Sequence, residues 1–430
     1  MKEIFKKTLY HILRIEAQLV LWRYKPRIVA ITGSVGKTST KDAVYAVFSK
    51  VAHVRKSEKS YNSEIGLPLT VLGISNGWNS PFLWLKNILK GLYLFIIPHK
   101  YPKWLILEVG VGKAGDMKKT ASWLKTDVVI VTAIGETPAH IEFFSSRKHL
   151  IEEKSGLIKT LKKDGFLILN VDDEAVKEMK EKTRNLTVGY GFSEDASVRG
   201  SELNILYDKE NIPEGIVFRV DEGGSSLPVI IEGVFGNNHV YASLAALATA
   251  SVLKFNMINA INMLKDYDIP PGRMRLLKGI NDSLIIDDTY NSSPFACESA
   301  LRTLGEVKSK RKIAILGDML ELGKHTIEAH KNIGKVAYEN VDVLIVVGPR
   351  ASSIKEGAIE AGMKEKNIYE FATSLEAGDF AKTFVQKGDL VLVKGSQGMR
   401  MERAVESILL DQKNKNKLLA RQDREWLDKK

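Results

Sequence analysis

Two apolar rhythms alternate along this chain. Short runs of Val, Ile and Leu, each ending in glycine or a polar residue, are separated by stretches whose apolar positions recur every three or four residues. The first short run, Val29-Ala30-Ile31-Thr32, passes through Gly33-Ser34-Val35-Gly36 into a helix-forming segment that begins Lys37-Thr38-Ser39-Thr40-Lys41-Asp42-Ala43. Similar runs occupy residues 104–110, 127–132 and 166–170. Buried strands alternating with helices predict a doubly wound, mostly parallel α/β sheet. From about 186 to 235 the runs shorten and alternate, with Gly-Gly and Pro breaks, so β-rich material is expected to be appended to that sheet. An alanine-rich helix should follow over about 238–253.

Pro270-Pro271-Gly272 then punctuates the chain. Apolar runs at 284–291, 312–319, 343–348 and 390–396 predict a second, Rossmann-like α/β domain with its own crevice. The expected division is a helix at 1–25, a central domain at 26–272, a C-terminal domain at 273–410 and a charged tail at 411–430.

Two stretches need separate readings. In residues 1–25 the apolar positions Ile4, Phe5, Leu9, Ile12, Leu13, Leu19 and Val20 recur at helical spacing, and Pro26 stops the helix. Lys2, Lys6, Lys7, Arg14 and Arg23 decorate it, so lying on a membrane and packing on the next domain both fit. An apolar insertion at about 76–102 contains 82–98, which Lys86, Asn87 and Lys90 interrupt. It is shorter than the roughly 20 residues needed to span a bilayer. A buried helix or a helix dipping into one leaflet remain, and the basic-apolar character shared with residues 1–25 favours the membrane surface.

Composition changes this picture little. The chain has 430 residues, 44% hydrophobic and 27% charged, enough for two or three domains of a soluble globular protein. Its one cysteine, Cys297, excludes an internal disulfide and a cysteine-based metal cluster, and fits a reducing, cytoplasmic setting. Residues 1–25 lack a small-residue cleavage site, so no secretory signal is expected. The net charge of +11 suits polyanionic ligands or an anionic surface, although much of it reads as solvated lysine. No nucleic-acid motif accompanies it, and a monomer is expected.

The chemistry is concentrated after the first strand. Strand, glycine turn and helix N-terminus form a phosphate cradle in which backbone N–H groups face an anion and glycine allows close approach. Gly33, Ser34, Val35, Gly36, Lys37, Thr38 and Ser39 are the candidate binding residues for ATP or GTP, with Lys37 reaching the terminal phosphates and Thr38 holding Mg²⁺. Ile31 stands where common P-loops carry their first glycine, so a tighter loop is expected. Glu108 ends an apolar run, where a Mg²⁺-binding acid belongs.

Together with these residues, Asn62-Ser63-Glu64-Ile65-Gly66-Leu67-Pro68, Ile286-Asp287-Asp288-Thr289-Tyr290-Asn291, Leu316-Gly317-Asp318-Met319-Leu320-Glu321-Leu322-Gly323 and Val393-Lys394-Gly395-Ser396 resemble the Mur ligase family over roughly 27–410. The similarity is greatest to its D-alanyl-D-alanine-adding branch. The resemblance implies an ATP-dependent ligase that makes an amide through an acyl phosphate, joining a cell-wall precursor peptide to an amino acid or dipeptide acceptor. It implies two Mg²⁺ ions, held by Thr38, Glu108, His140 and Lys154, with Lys154 carbamylated. Arg273 matches the arginine that swings onto the phosphates, Asp288 the acid at the ribose, and Tyr290 and Asn291 lie near the nucleotide. Lys394 and Ser396 match part of the acceptor pocket.

Departures from the family are specific. Only about thirty residues precede Gly33, where the family carries a domain for the UDP moiety, so a ligase without that domain is expected. Asn238-His239 reverses the usual His-Asn order, which puts Asn238 as the nucleotide contact and predicts altered adenine recognition. Gln397 stands in place of a frequent arginine. The other readings are a poly-γ-glutamate synthetase-like ligase and a nucleotide-binding regulator whose chemistry has decayed; joint retention of Lys37, Thr38, Glu108, His140, Lys154 and Arg273 argues against decay.

Overall fold

The apolar runs become the strands of two sheets. A computed structural model describes residues 2–58, 61–78, 80–135, 141–423 and 426. The first sheet contains β1 (Arg27–Thr32), β2 (Val54–Lys56), β3 (Trp104–Glu108), β4 (Thr126–Val131), β5 (Leu161–Asn170), β6 (Leu186–Gly191), β7 (Val198–Tyr207), β8 (Pro213–Glu222) and β9 (Ser225–Glu232). Its order is β2-β3-β1-β4-β5-β6-β7-β8-β9, parallel through β7 and antiparallel beyond. α1 (Lys2–Tyr24) precedes β1, and between β1 and β9 run α2 (Lys37–Ser49), α3 (Gly66–Leu72), α4 (Pro81–Ile96), α5 (Asp116–Ala121), α6 (Arg147–Ser155) and α7 (Glu174–Lys177). The alanine-rich α8 (Asn237–Val252) follows.

β1 is flanked by β3 on one side and β4 on the other, so the loop after it opens at the point where the strand order reverses. Its side chains alternate between two cores. Val29 and Ile31 pack with Val44, Val47 and Phe48 of α2 and the alanines of α8, while Ile28 and Ala30 pack under α1 and α3. Burial on both faces is why this strand reads as one continuous apolar run.

The second sheet holds β10 (Arg275–Lys278), β11 (Leu284–Asp288), β12 (Arg311–Gly317), β13 (Val343–Val347), β14 (Ile368–Phe371) and β15 (Asp389–Lys394) in the order β10-β11-β15-β12-β13-β14. All pairs but β10-β11 are parallel. The α/β architecture with a large, mostly parallel first sheet and a parallel second one is as the sequence predicted.

The two helices left open by the sequence part company. α1 buries Leu9, Leu13, Ala17 and Val20, one face at helical spacing, against the first domain. Its apolar stripe is used inside the protein. α4 is not a buried helix: Trp84 and Gly91 are its buried residues, while Phe82, Leu85, Leu89, Leu92, Tyr93 and Ile96 are 44–74% exposed. Ser80 caps its N-terminus by accepting from the Leu83 N–H, and Pro81 starts the first turn. Arg23 and Tyr24 at the end of α1 donate to the carbonyls of Phe95 and Leu94, at 2.6 and 3.0 Å. Among the described residues no helix is long and apolar enough to cross a membrane.

Where α1 crosses α4, Gly91 sits so close to Glu16 that a Cβ there would overlap the carboxylate. Glu16 is buried, its Oε2 has no partner among the described residues, and burial pushes its pKa from 4.5 up to about 7. Because the folded-state pKa is the higher one, the stabilising contribution is complete below pH 4.5 and is lost as the pH rises through about 7. Glu16→Gln should therefore flatten the stability profile over that window and raise stability above it by up to about 3 kcal/mol. Denaturant melts of both proteins across the window check this; parallel profiles would mean that Glu16 is solvated.

Candidate active site

The loop between β1 and α2 is shaped by two glycines. Gly33 has φ +143° and faces Thr132, whose Oγ1 any Cβ at this position would overlap. Gly36 has φ +85° and caps the N-terminus of α2. The N–H groups of Ser34 and Val35 donate to the Ala133 carbonyl at 2.8 and 3.1 Å, and Thr132 Oγ1 donates to the Val35 carbonyl at 2.7 Å. The end of β4 thus fixes the curve of the loop, and the positive end of α2 points out of it.

Charge is gathered around this curve. Lys37 Nζ folds back onto the Ser34 carbonyl at 3.2 Å. Burial lowers its pKa, the Arg273 charge lowers it further and Glu108 works the other way. Lys154, buried in the last turn of α6, donates to the Gly33 carbonyl at 2.9 Å. Burial first, and the neighbouring Lys37 charge second, hold its pKa well below the ordinary lysine value.

Glu108 is placed by register, opposite Ile31 at the end of β3. Thr38 Oγ1 donates to its Oε2 at 3.0 Å, Asn62 Nδ2 to its Oε1 at 3.1 Å, and Lys41 Nζ lies 3.9 Å from Oε2. A hydroxyl and a carboxylate in contact at a helix N-terminus are the donors a Mg²⁺ ion beside phosphates takes. His140 lies outside the described residues. The chain leading to it is anchored by Asp173, whose Oδ2 accepts from the Ile134 and Gly135 N–H groups at 2.7 and 3.0 Å.

The second domain closes the other side. Arg273 lies between the domains with its backbone clamped on three sides. Gly272 N–H donates to Asp287, Met274 N–H donates to Asp288, and His239 Nε2 meets the Arg273 carbonyl at 2.7 Å. Burial lowers the His239 pKa to about 4, so a neutral imidazole bridges that carbonyl and Tyr267. The Arg273 guanidinium stacks on the Tyr290 ring at 4.1 Å, and Arg421 covers the same ring at 5.4 Å.

β11 and β15 pair so that Asp288 faces Lys394, and the two form a buried ion pair at 2.6 Å. Lys394 also donates to the Asn291 carbonyl at 2.9 Å. Ser396 Oγ accepts from the Leu320 N–H at 2.8 Å. One cleft is lined by Ser34, Val35, Gly36, Ser39 and Asn238 from the first domain and by Arg273, Asp288, Asn291 and Lys394 from the hinge and second domain.

Several contributors are not marked by the sequence pattern. Asn62 belongs to a quoted motif but its partner is known only from the fold; Lys41 reads as an ordinary helix lysine. His239, adjacent to the candidate Asn238, holds Arg273. Arg421 in the charged tail is buried, donating to Glu402 at 2.9 Å and to the Thr289 and Tyr290 carbonyls.

The family models match on both sides of this cleft. Residues 31–83 and 85–250 match the Mur ligase middle domain, and 272–397 match the Mur ligase, glutamate ligase domain. The chain belongs to the Mur ligase family. It is 28% identical over 397 residues to UDP-N-acetylmuramoyl-tripeptide--D-alanyl-D-alanine ligase of Bacillus subtilis, a match covering 91% of this chain and 78% of the relative. The same-named protein of Synechocystis is 28% identical over 90% of this chain and 76% of its own length. The crystal structure of MurF ligase from Thermotoga maritima in complex with ADP superposes with a TM-score of 0.76 at 25% identity, covering 93% of this chain and 83% of that one. A Mycobacterium tuberculosis folylpolyglutamate synthase shares the fold, with a TM-score of 0.65 at 15% identity over 92% of this chain and 94% of its own. This Mur ligase is accordingly an ATP-dependent ligase of the acid–amino-acid class.

Gly33 offers a direct check on the loop between β1 and α2. Gly33→Ala should cost about 1–3 kcal/mol of stability, from backbone strain and the clash with Thr132. It should also weaken ADP binding measured by calorimetry, and unchanged affinity would show that the loop tolerates a side chain.

Proposed function

We propose that this ligase couples ATP cleavage to amide formation between the carboxylate of a cell-wall precursor peptide and an amino component, D-alanyl-D-alanine or one like it. The observation that carries the reading is the gathering of Lys37, Lys154 and Arg273 around one glycine-bearing loop, with both lysine pKa values depressed by burial, Arg273 lowering that of Lys37 further and Lys37 that of Lys154, and with Glu108 beside them. Lys37 and Arg273 held together at such cost favour a polyanion brought next to a second anion, which is the problem a carboxylate and ATP present.

In this reading a donor carboxylate oxygen bonds to the γ-phosphorus and the bond to ADP breaks. The acceptor nitrogen then bonds to the acyl carbon, phosphate leaves and the nitrogen gives up a proton. Lys37 and Arg273 offset the charge on the phosphates, and closure of the second domain over the loop keeps water from the acyl phosphate. Thr38 and Glu108 would hold one Mg²⁺, and His140 with modified Lys154 would hold a second. Magnesium supplies charge neutralisation at the phosphate oxygens when bound. Gly33, Ser34, Val35, Gly36 and Ser39 would cradle the phosphates, Asn238, Asp288, Tyr290 and Asn291 would contact the nucleoside, and Lys394 and Ser396 would border the acceptor.

Lys154 is suited to carbamylation because its depressed pKa favours the neutral amine. The lone pair of the neutral nitrogen adds to the carbon of CO₂ and one proton is released, turning an uncharged amine into an anion able to orient metal. Lys154→Ala should lose nearly all activity and regain part of it with a short carboxylic acid; an active, unrescued variant would discard the modification.

The central experiment is ADP release screened over UDP-linked, lipid-linked and free peptide donors, each with D-alanyl-D-alanine or single amino acids. Turnover should require donor and acceptor together. Full turnover without an acceptor would overturn the ligase reading in favour of a simple NTPase, and preference for glutamate chains would favour a poly-γ-glutamate synthetase-like reaction.

A further inference from the structure

α4 carries two apolar stripes, and the protein uses one. Trp84, Ile88, Gly91 and Phe95 recur at four- and three-residue steps and face the core beneath α1. At about 100° per residue the second stripe, Phe82, Leu85, Leu89, Leu92, Tyr93 and Ile96, points away from that contact, and each of its residues is exposed. Exposed Lys86 and Lys90 run along its border. No Asp or Glu occurs between Glu64 and Glu108, so no acidic residue of this segment offsets these lysines.

A helix apolar on two faces is stable only where both are covered. The helix is 16 residues, about 24 Å long, too short to cross a bilayer. Lysine is depleted in protein–protein interfaces, whereas lysine beside a continuous apolar stripe is what a helix lying in the headgroup region presents. The net charge of +11 has the same sign preference.

The geometry points to α4 as a docking helix for an anionic phospholipid bilayer, lying parallel to the surface with its outer stripe among the acyl chains and Lys86 and Lys90 at the headgroups. This surface is independent of the reaction proposed above.

The test is co-sedimentation of the full chain with phosphatidylcholine vesicles, with and without phosphatidylglycerol. The chain should bind the anionic vesicles and bind neutral ones far less. Leu89→Glu combined with Leu92→Glu should abolish binding while leaving the thermal midpoint and lipid-free ADP release unchanged, because both side chains are exposed. Lys86→Gln with Lys90→Gln, which keeps the stripe intact, should weaken binding about thirtyfold. No vesicle binding by the unaltered chain, or equal binding by the glutamate variant, would overturn the inference. So would a lipid-free dimer in analytical ultracentrifugation that the glutamate variant dissociates, since the stripe would then be covered by a second copy.

Discussion

Lys37, Lys154 and Arg273 crowd three basic groups around the loop after β1, and the electrostatics of the ligase follow from that crowding. Burial holds the Lys37 and Lys154 pKa values down, so the charged form of each is held at a cost. Each unit of depression corresponds to about 1.4 kcal/mol of differential cost to the charged form. An anion placed beside these groups would offset that cost, as the reaction proposed above requires. Glu108 keeps the charge from being uniform, since Thr38, Asn62 and Lys41 converge on its carboxylate.

The same cleft needs its two walls in register. Arg273 is the link, and its position is set mainly through the backbone on either side of it. Asp287 and Asp288 at the end of β11 take the flanking N–H groups, and neutral His239 from α8 holds the carbonyl. Tyr290, stacked between Arg273 and Arg421, connects the hinge to the end of the chain. The buried Arg421–Glu402 pair makes sense in that setting: breaking one partner would strand a charge, so the tail is held against the second domain. A short acidic strand end therefore serves both as part of the cleft and as the anchor of the hinge.

At the far edge of the first domain, α1 and α4 solve the same packing problem differently. α1 hides Leu9, Leu13, Ala17 and Val20, leaves Ile15 and Trp22 exposed, and holds at the crossing a Glu16 carboxyl oxygen that is unpaired among the described residues. α4 accepts that close crossing through Gly91 and keeps its second stripe outward. Both helices are basic and apolar in sequence, and composition alone does not separate them.

What the sequence by itself determined is local chemistry. Gly33, Gly36, Lys37 and Thr38 lie within a few residues of one another, so strand, turn and helix signals sufficed to find the glycine turn between β1 and α2. The ends of the apolar runs likewise put Glu108, Asp288 and Lys394 at the carboxyl edges of parallel strands. Only the tertiary structure decided which distant groups meet. Strand register brought Glu108 to Thr38 and Asp288 to Lys394. Packing of α8 made buried His239 the holder of Arg273 while Asn238 lines the cleft, and chain closure brought Arg421 onto Tyr290. Whether an apolar helix face is covered or bare is equally a property of its neighbours. Periodicity fixes which residues share a face, but the surface opposite that face is built from chain far away in sequence.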